Sequence, residues 1–155
     1  MAVGSVPASD FPTVTRPDLG LAGKVTIALL VLLGLGALAG GLALLVRPDG
    51  SAMGFDVALL AGSPFPDYVV PGLILGGLFG IGSLAVALLG VRRARSAPFL
   101  AFAIGCGQMI WIVVELAIIR EYSFLQPVCF GIGLAIAVAS AVWGWPTLQA
   151  WRARR

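Results

Sequence analysis

The fold is decided by residues 25–46, VTIALLVLLGLGALAGGLALLV, a run without a charge between Lys24 and Arg47. About 20 apolar residues in a helix cross the hydrocarbon core of a bilayer. A cleaved leader is the competing reading. Its apolar region is shorter, ~7–15 residues, and sits nearer the N-terminus. Residues 25–46 therefore read as a retained membrane helix. Gly36 and Gly40 stand at G-x-x-x-G spacing, with Gly34 and Gly41 beside them. Small residues at that spacing let two helix backbones approach closely. Gly34-x-Gly36 is not a dinucleotide loop, because no strand precedes it and no acidic residue follows at the required distance.

Working outward, three further apolar runs appear at 69–91, 98–119 and 124–145. The whole chain of 155 residues is 59% hydrophobic and 11% charged, against about 25% charged in soluble domains. A chain of this length has too little polar surface to cover so much apolar area, so its solvent is lipid. The expected fold is all-α, a four-helix transmembrane bundle. Residues 1–23, broken by Pro7, Pro12 and Pro17, read as a flexible cytoplasmic tail. Residues 24–148 form the membrane domain and 149–155 a basic C-terminal tail.

The second run is the richest in packing signals. Gly72, Gly76 and Gly80 repeat every four residues and line one helix face, and Pro71 suits the first helical turn. Between the first two runs, residues 47–68 form the longest internal loop. Asp56 is placed as an N-cap and Gly62 as a C′ residue for one or two helical turns. Pro64 and Pro66 stiffen the segment that follows. An ordered cap over one end of the bundle is expected. In the fourth run, Trp143, Trp145 and Trp151 suggest an interfacial aromatic belt, and Pro146 a sharp helix stop.

The net charge of +3 does not indicate nucleic acid. The ten basic residues sit at the ends of apolar runs, not along a polar face. With four spans, Arg16, Lys24, Arg92, Arg93, Arg95, Arg152, Arg154 and Arg155 share one side, and only Arg47 and Arg120 fall on the other. This asymmetry places both termini in the cytoplasm and the protein, multi-pass, in the inner cell membrane. The long loop then faces outward with Asp49, Asp56, Asp67 and Glu121.

Chemistry-bearing residues are few. There is no His, which removes the commonest metal ligand and general base. Cys106 and Cys129 lie 23 positions apart in apolar runs and make no metal or haem spacing. No nucleophile–base pair, phosphate loop or cofactor motif is visible, so no catalytic, metal or cofactor site is assigned. The third run alone places a carboxylate inside an apolar span, with an amide on the same helix. Gln108, Trp111, Ile112 and Glu115 recur at steps of three and four, and so share a face. A carboxylate at such depth marks a pathway or a partner. Glu115 lies near the outer end, where Arg47, Arg120 or the outer cap, with Asp67, could engage it. Gln108, nearer mid-membrane, reads as interhelical glue.

Gly62-Ser63-Pro64-Phe65-Pro66-Asp67-Tyr68-x-x-Pro71-Gly72, with Trp111-Ile112 and Leu125-Gln126-Pro127, resembles an uncharacterised family of small four-helix bacterial membrane proteins. The resemblance covers about residues 25–145 and implies no activity. Its members often carry Gln at the position of Glu115, which argues against an obligatory proton carboxylate. Small multidrug transporters share the helix count but place their key Glu in the first helix. Residues 25–46 carry no charge, so that analogy fails. The Ala/Gly/Leu/Val/Arg-rich usage fits a bacterial source. The expected role is a non-enzymatic accessory or packing subunit in the lipid bilayer. Its glycine strips would seat a membrane-protein partner or a second copy. The alternative is a small transporter or channel gated near Glu115.

Overall fold

The computed structural model describes residues 19–119 and 122–152. Four helices carry the chain: α1 (Leu21–Val46), α2 (Val69–Val91), α3 (Ala97–Ile119) and α4 (Leu125–Arg152). All four are long and apolar enough to cross a membrane, and no strand occurs among the described residues. Leucines such as Leu32, Leu35, Leu42, Leu73 and Leu78 stand more than half exposed. Such surfaces suit hydrocarbon, not water. The tail expected over residues 1–23 lies mostly outside the described residues.

Two helix ends differ from the sequence reading. α1 begins at Leu21, so Lys24 lies in its first turn and donates its backbone N–H to Gly20 O at 3.2 Å. A lysine within a turn of a helix end can keep its ammonium in the interface along an apolar stem. α4 runs through Pro146 to Arg152 instead of stopping at it. Proline forfeits one backbone bond, a loss membrane helices tolerate where surrounding contacts hold the backbone. Here Gly144, two residues earlier, lies against Pro98 of α3.

Helices adjacent in sequence pack antiparallel, and glycines set the spacing. Between α1 and α2, a methyl added at Gly41 would fall 2.5 Å from Gly76 N and 2.8 Å from Gly72 O. One added at Gly80 would lie 3.1 Å from Leu38 N, and Gly34 faces Gly80 O and Leu84. The Gly72–Gly76–Gly80 strip is thus occupied by α1 of the same chain. On α1 the close approach is made by Gly34 and Gly41, seven residues apart on one face. The expected pair Gly36 and Gly40 does not make it. Gly36 has nothing within 4 Å, and Gly40 meets only the side chains of Leu75 and Met53. Between α3 and α4, Gly105 abuts Ala137 N and Gly133 O. The middle of the bundle is filled by Leu30, Leu33, Val86, Ala87, Ala101 and Ile136.

Within α2, residues Ile74–Ile81 wind as a π-helix, with Gly82 N–H bonding Gly77 O. Trp143 is not an interfacial belt residue. It is 8% exposed, and its ring fills a niche against Gly23 of α1 and Gly90 of α2. Trp145 is exposed, and the side chain of Trp151 lies outside the described residues.

Candidate functional site

The α1–α2 loop builds one end of the bundle around Tyr68. Arg47 to Gly50 makes a tight turn, closed by Gly50 N–H to Arg47 O at 2.9 Å. Gly50 has φ +81°, and a methyl there would strike Tyr68 and Phe55 at 2.7 and 2.9 Å, so both backbone shape and space require glycine. Asp49 accepts from Ser51 Oγ at 2.7 Å and Ser51 N at 3.0 Å. The Ser51 hydroxyl bond, chiefly, holds the exposed Asp49 carboxyl below its ordinary value. Asp56 caps the turn Val57–Leu60 by accepting from Ala58 N at 2.8 Å, and Gly62 has φ +87°. Tyr68 donates its hydroxyl to Asp56 O at 3.0 Å and its N–H to Pro48 O at 3.0 Å. Its ring stacks on Phe55, centroids 5.9 Å apart. Asp67 accepts from Val69 N at 2.9 Å and so starts α2. Each loop carboxylate thus accepts a backbone N–H two residues further on through one of its oxygens.

A small apolar core underlies this loop. Leu44, Leu60 and Tyr68 are buried together, with Phe55, Phe65, Leu75 and Ile118 packed against them. Ile118 brings the end of α3 beneath the loop, three residues from Glu115. The half-buried Glu115 carboxylate does not meet Arg47 or the loop. Its partner is the side chain of Gln126 in the first turn of α4. Gln126 Oε1 accepts Ser123 N–H at 2.9 Å, so its amide nitrogen is the group left to donate to Glu115. Ser123-Phe124-Leu125-Gln126 is a capping box, S-x-x-Q, with the Gln reaching back to the N-cap backbone. That signature is visible in the sequence as Ser123 and Gln126. Arg120 and Glu121 lie outside the described residues.

The remaining members of the α3 polar face separate. Trp111 leans on Phe79 of α2, centroids 6.1 Å apart. Gln108 is 2% exposed. Its Cβ and Cγ lie 3.1–3.2 Å from where a methyl on Gly133 would stand. Its Oε1 has no hydrogen-bond partner, so Gln108 joins the helices through its stem and not through its amide oxygen. Ser83 Oγ of α2 is likewise buried and unpartnered. The other buried hydroxyls satisfy themselves locally: Thr26 donates to Ala22 O at 2.8 Å and Ser140 to Ala137 O at 3.0 Å. Cys106 and Cys129 are free thiols. Among the described residues, no three His, Cys, Asp or Glu side chains gather as metal ligands would.

No family model matches the chain, and neither the curated proteins nor the solved structures contain a match to it.

Proposed function

We propose that this protein acts as a non-enzymatic packing or accessory subunit within a cell membrane, with both termini cytoplasmic and the Tyr68 loop facing outward. The observation that carries the reading is the use made of Glu115. The one carboxylate within a membrane helix is bound to Gln126, the residue that also caps α4. A group so employed joins two helices. The basic residues, eight on one side against two, support the orientation. A partner helix would not use the Gly72–Gly80 strip, which α1 occupies. It would use the outer face of α1 at Gly36, where the backbone is bare beside exposed Leu32 and Leu35.

Two measurements test this. A photo-crosslinker at Gly36 should capture a discrete partner or a second copy in cells. A lone monomer in mild detergent, with no crosslink, defeats the reading. Glu115→Gln should unfold in detergent within about 1 kcal/mol of the parent. Glu115→Leu should lose about 1–3 kcal/mol, because it removes the charged acceptor that Gln126 meets on α3.

A second reading, a small transporter with its site near Glu115, draws on Ser83 Oγ and Gln108 Oε1. Two unpartnered polar atoms inside a membrane bundle are where a polar solute could be met. It requires Glu115→Gln to abolish pH-dependent flux in proteoliposomes. Unchanged flux removes it.

A further inference from the structure

Charge on the described residues is divided between the two ends of the bundle. Trp143 touches Gly23 and Gly90, and Gly144 touches Pro98, so these positions share one level. Lys24 follows Gly23, Arg92 and Arg93 follow Gly90, and Arg95 precedes Pro98. Arg152 stands nine residues past Trp143 on the α4 overhang, roughly 14 Å further out at 1.5 Å per residue. All five are exposed, and no described residue is bonded or ion-paired to their side chains. The described carboxylates, Asp49, Asp56, Asp67 and Glu115, all belong to the opposite end.

Two details go beyond a charge count. The α2–α3 turn is a Schellman motif, with Ala94 N–H to Leu89 O and Arg93 N–H to Gly90 O, both at 2.9 Å. Its left-handed position, usually glycine, holds Arg93 at φ 55°. A side chain is thus kept where the backbone favours none, and three guanidinium groups fall within four residues. The α4 overhang carries a shallow depression lined by Trp145, Leu148, Gln149 and Arg152. Trp145 and Leu148 stand nearer the bundle along α4, and Gln149 and Arg152 further out. That order matches the passage from acyl chain to headgroup.

We propose that this end of the bundle binds anionic phospholipid, with Lys24, Arg92, Arg93, Arg95 and Arg152 meeting the headgroup phosphates and Trp145 and Leu148 lying against the glycerol–acyl region. The proposal rests on the bundle being membrane-embedded. Unpaired cations beside a membrane surface attract anionic headgroups by about fivefold in affinity per residue, and salt screens the attraction.

The test is native mass spectrometry of the full chain, purified in neutral detergent and titrated with phosphatidylglycerol or phosphatidylcholine. Measurement in detergent removes any dependence on orientation in a bilayer. Phosphatidylglycerol should be retained at least tenfold over phosphatidylcholine, and the preference should fall as salt rises. Arg92→Gln/Arg93→Gln/Arg95→Gln should abolish most of it. Arg152→Gln should lower it about fivefold, and Arg47→Gln at the opposite end should not change it. Equal retention of the two lipids by the parent chain, a salt-independent preference, or an equal loss in Arg47→Gln overturns the proposal. The salt series uses the parent chain alone, so a variant that fails to fold does not decide the result. Failure of the membrane reading would show differently, as a chain that leaves the membrane fraction in carbonate or urea.

Discussion

At the loop end, Tyr68 is buried by what surrounds it: a stacked Phe55, a hydroxyl bond to Asp56 O and capped turns on either side. At the basic end, Trp143 is buried by what is missing around it, the side chains of Gly23 and Gly90. One end is closed by hydrogen bonds in a segment that leaves the helices. The other is closed by shape, with helices alone. Polar closure suits a segment whose backbone lacks helical bonds of its own, since each loop N–H and C=O must find a partner. Shape closure suits helix surfaces whose backbone is already satisfied and which have only contact left to gain.

Breaking the shape closure should cost most. Trp143→Ala would leave a ring-sized void between α1, α2 and α4. A loss of about 3–5 kcal/mol is expected in reversible unfolding in detergent. Refilling the niche from the other side with Gly90→Leu should also destabilise, because Ile27 and Trp143 already stand where its Cβ would go. Breaking the polar closure one bond at a time should cost less. Tyr68→Phe keeps the stacked ring and loses the bond to Asp56 O, for about 1 kcal/mol. Faster amide exchange should be confined to residues 48–68. If Tyr68→Phe costs as much as Trp143→Ala, the contrast between the ends is wrong.

Smaller effects sharpen the comparison. Arg93→Gly should stabilise by about 0.5–1 kcal/mol, since glycine takes the left-handed turn position without strain. The same change should weaken binding of anionic lipid, separating backbone shape from charge at that end. The least effect is expected at Asp49. Its carboxyl titrates below the ordinary value because Ser51 donates to it. The bond therefore helps above the unfolded value and is lost as pH falls through the lower, folded one. Amide exchange at Ser51 should quicken as pH falls through that lowered value, and Asp49→Asn should flatten that dependence.

The four spans were legible because an uncharged run of helix length has one economical solvent. The Asp56 cap and the Gly62 turn were legible because capping chemistry is local. The seams were not. A membrane helix is apolar on every side, so it lacks the polar face that tells inside from outside in a soluble helix. Gly36 and Gly41 look alike in the sequence, yet one is bare and the other meets backbone. Trp143 and Trp145 sit two positions apart, yet one is buried among helices and the other exposed. Neither spacing nor hydropathy separates them, because partner position decides. Glu115 was legible as a group needing a partner. The S-x-x-Q signature that begins eight residues on, at Ser123, carries the answer, because its Gln both caps α4 and meets Glu115.

The π-wound stretch Ile74–Ile81 makes α2 unlike its neighbours in one further respect. Closing rings from i to i+5 instead of i to i+4 takes up an extra residue without adding a full turn of height. α2 therefore holds slack. Removing one exposed residue there, such as Leu78, would let the segment tighten into ordinary α-helix while Ser83, Val86 and Gly90 keep their bearings toward the core. The same deletion in α1 would turn everything beyond it by about 100° and scatter the Gly34–Gly41 seam. Among the four spans, α2 is the one able to absorb a change in length.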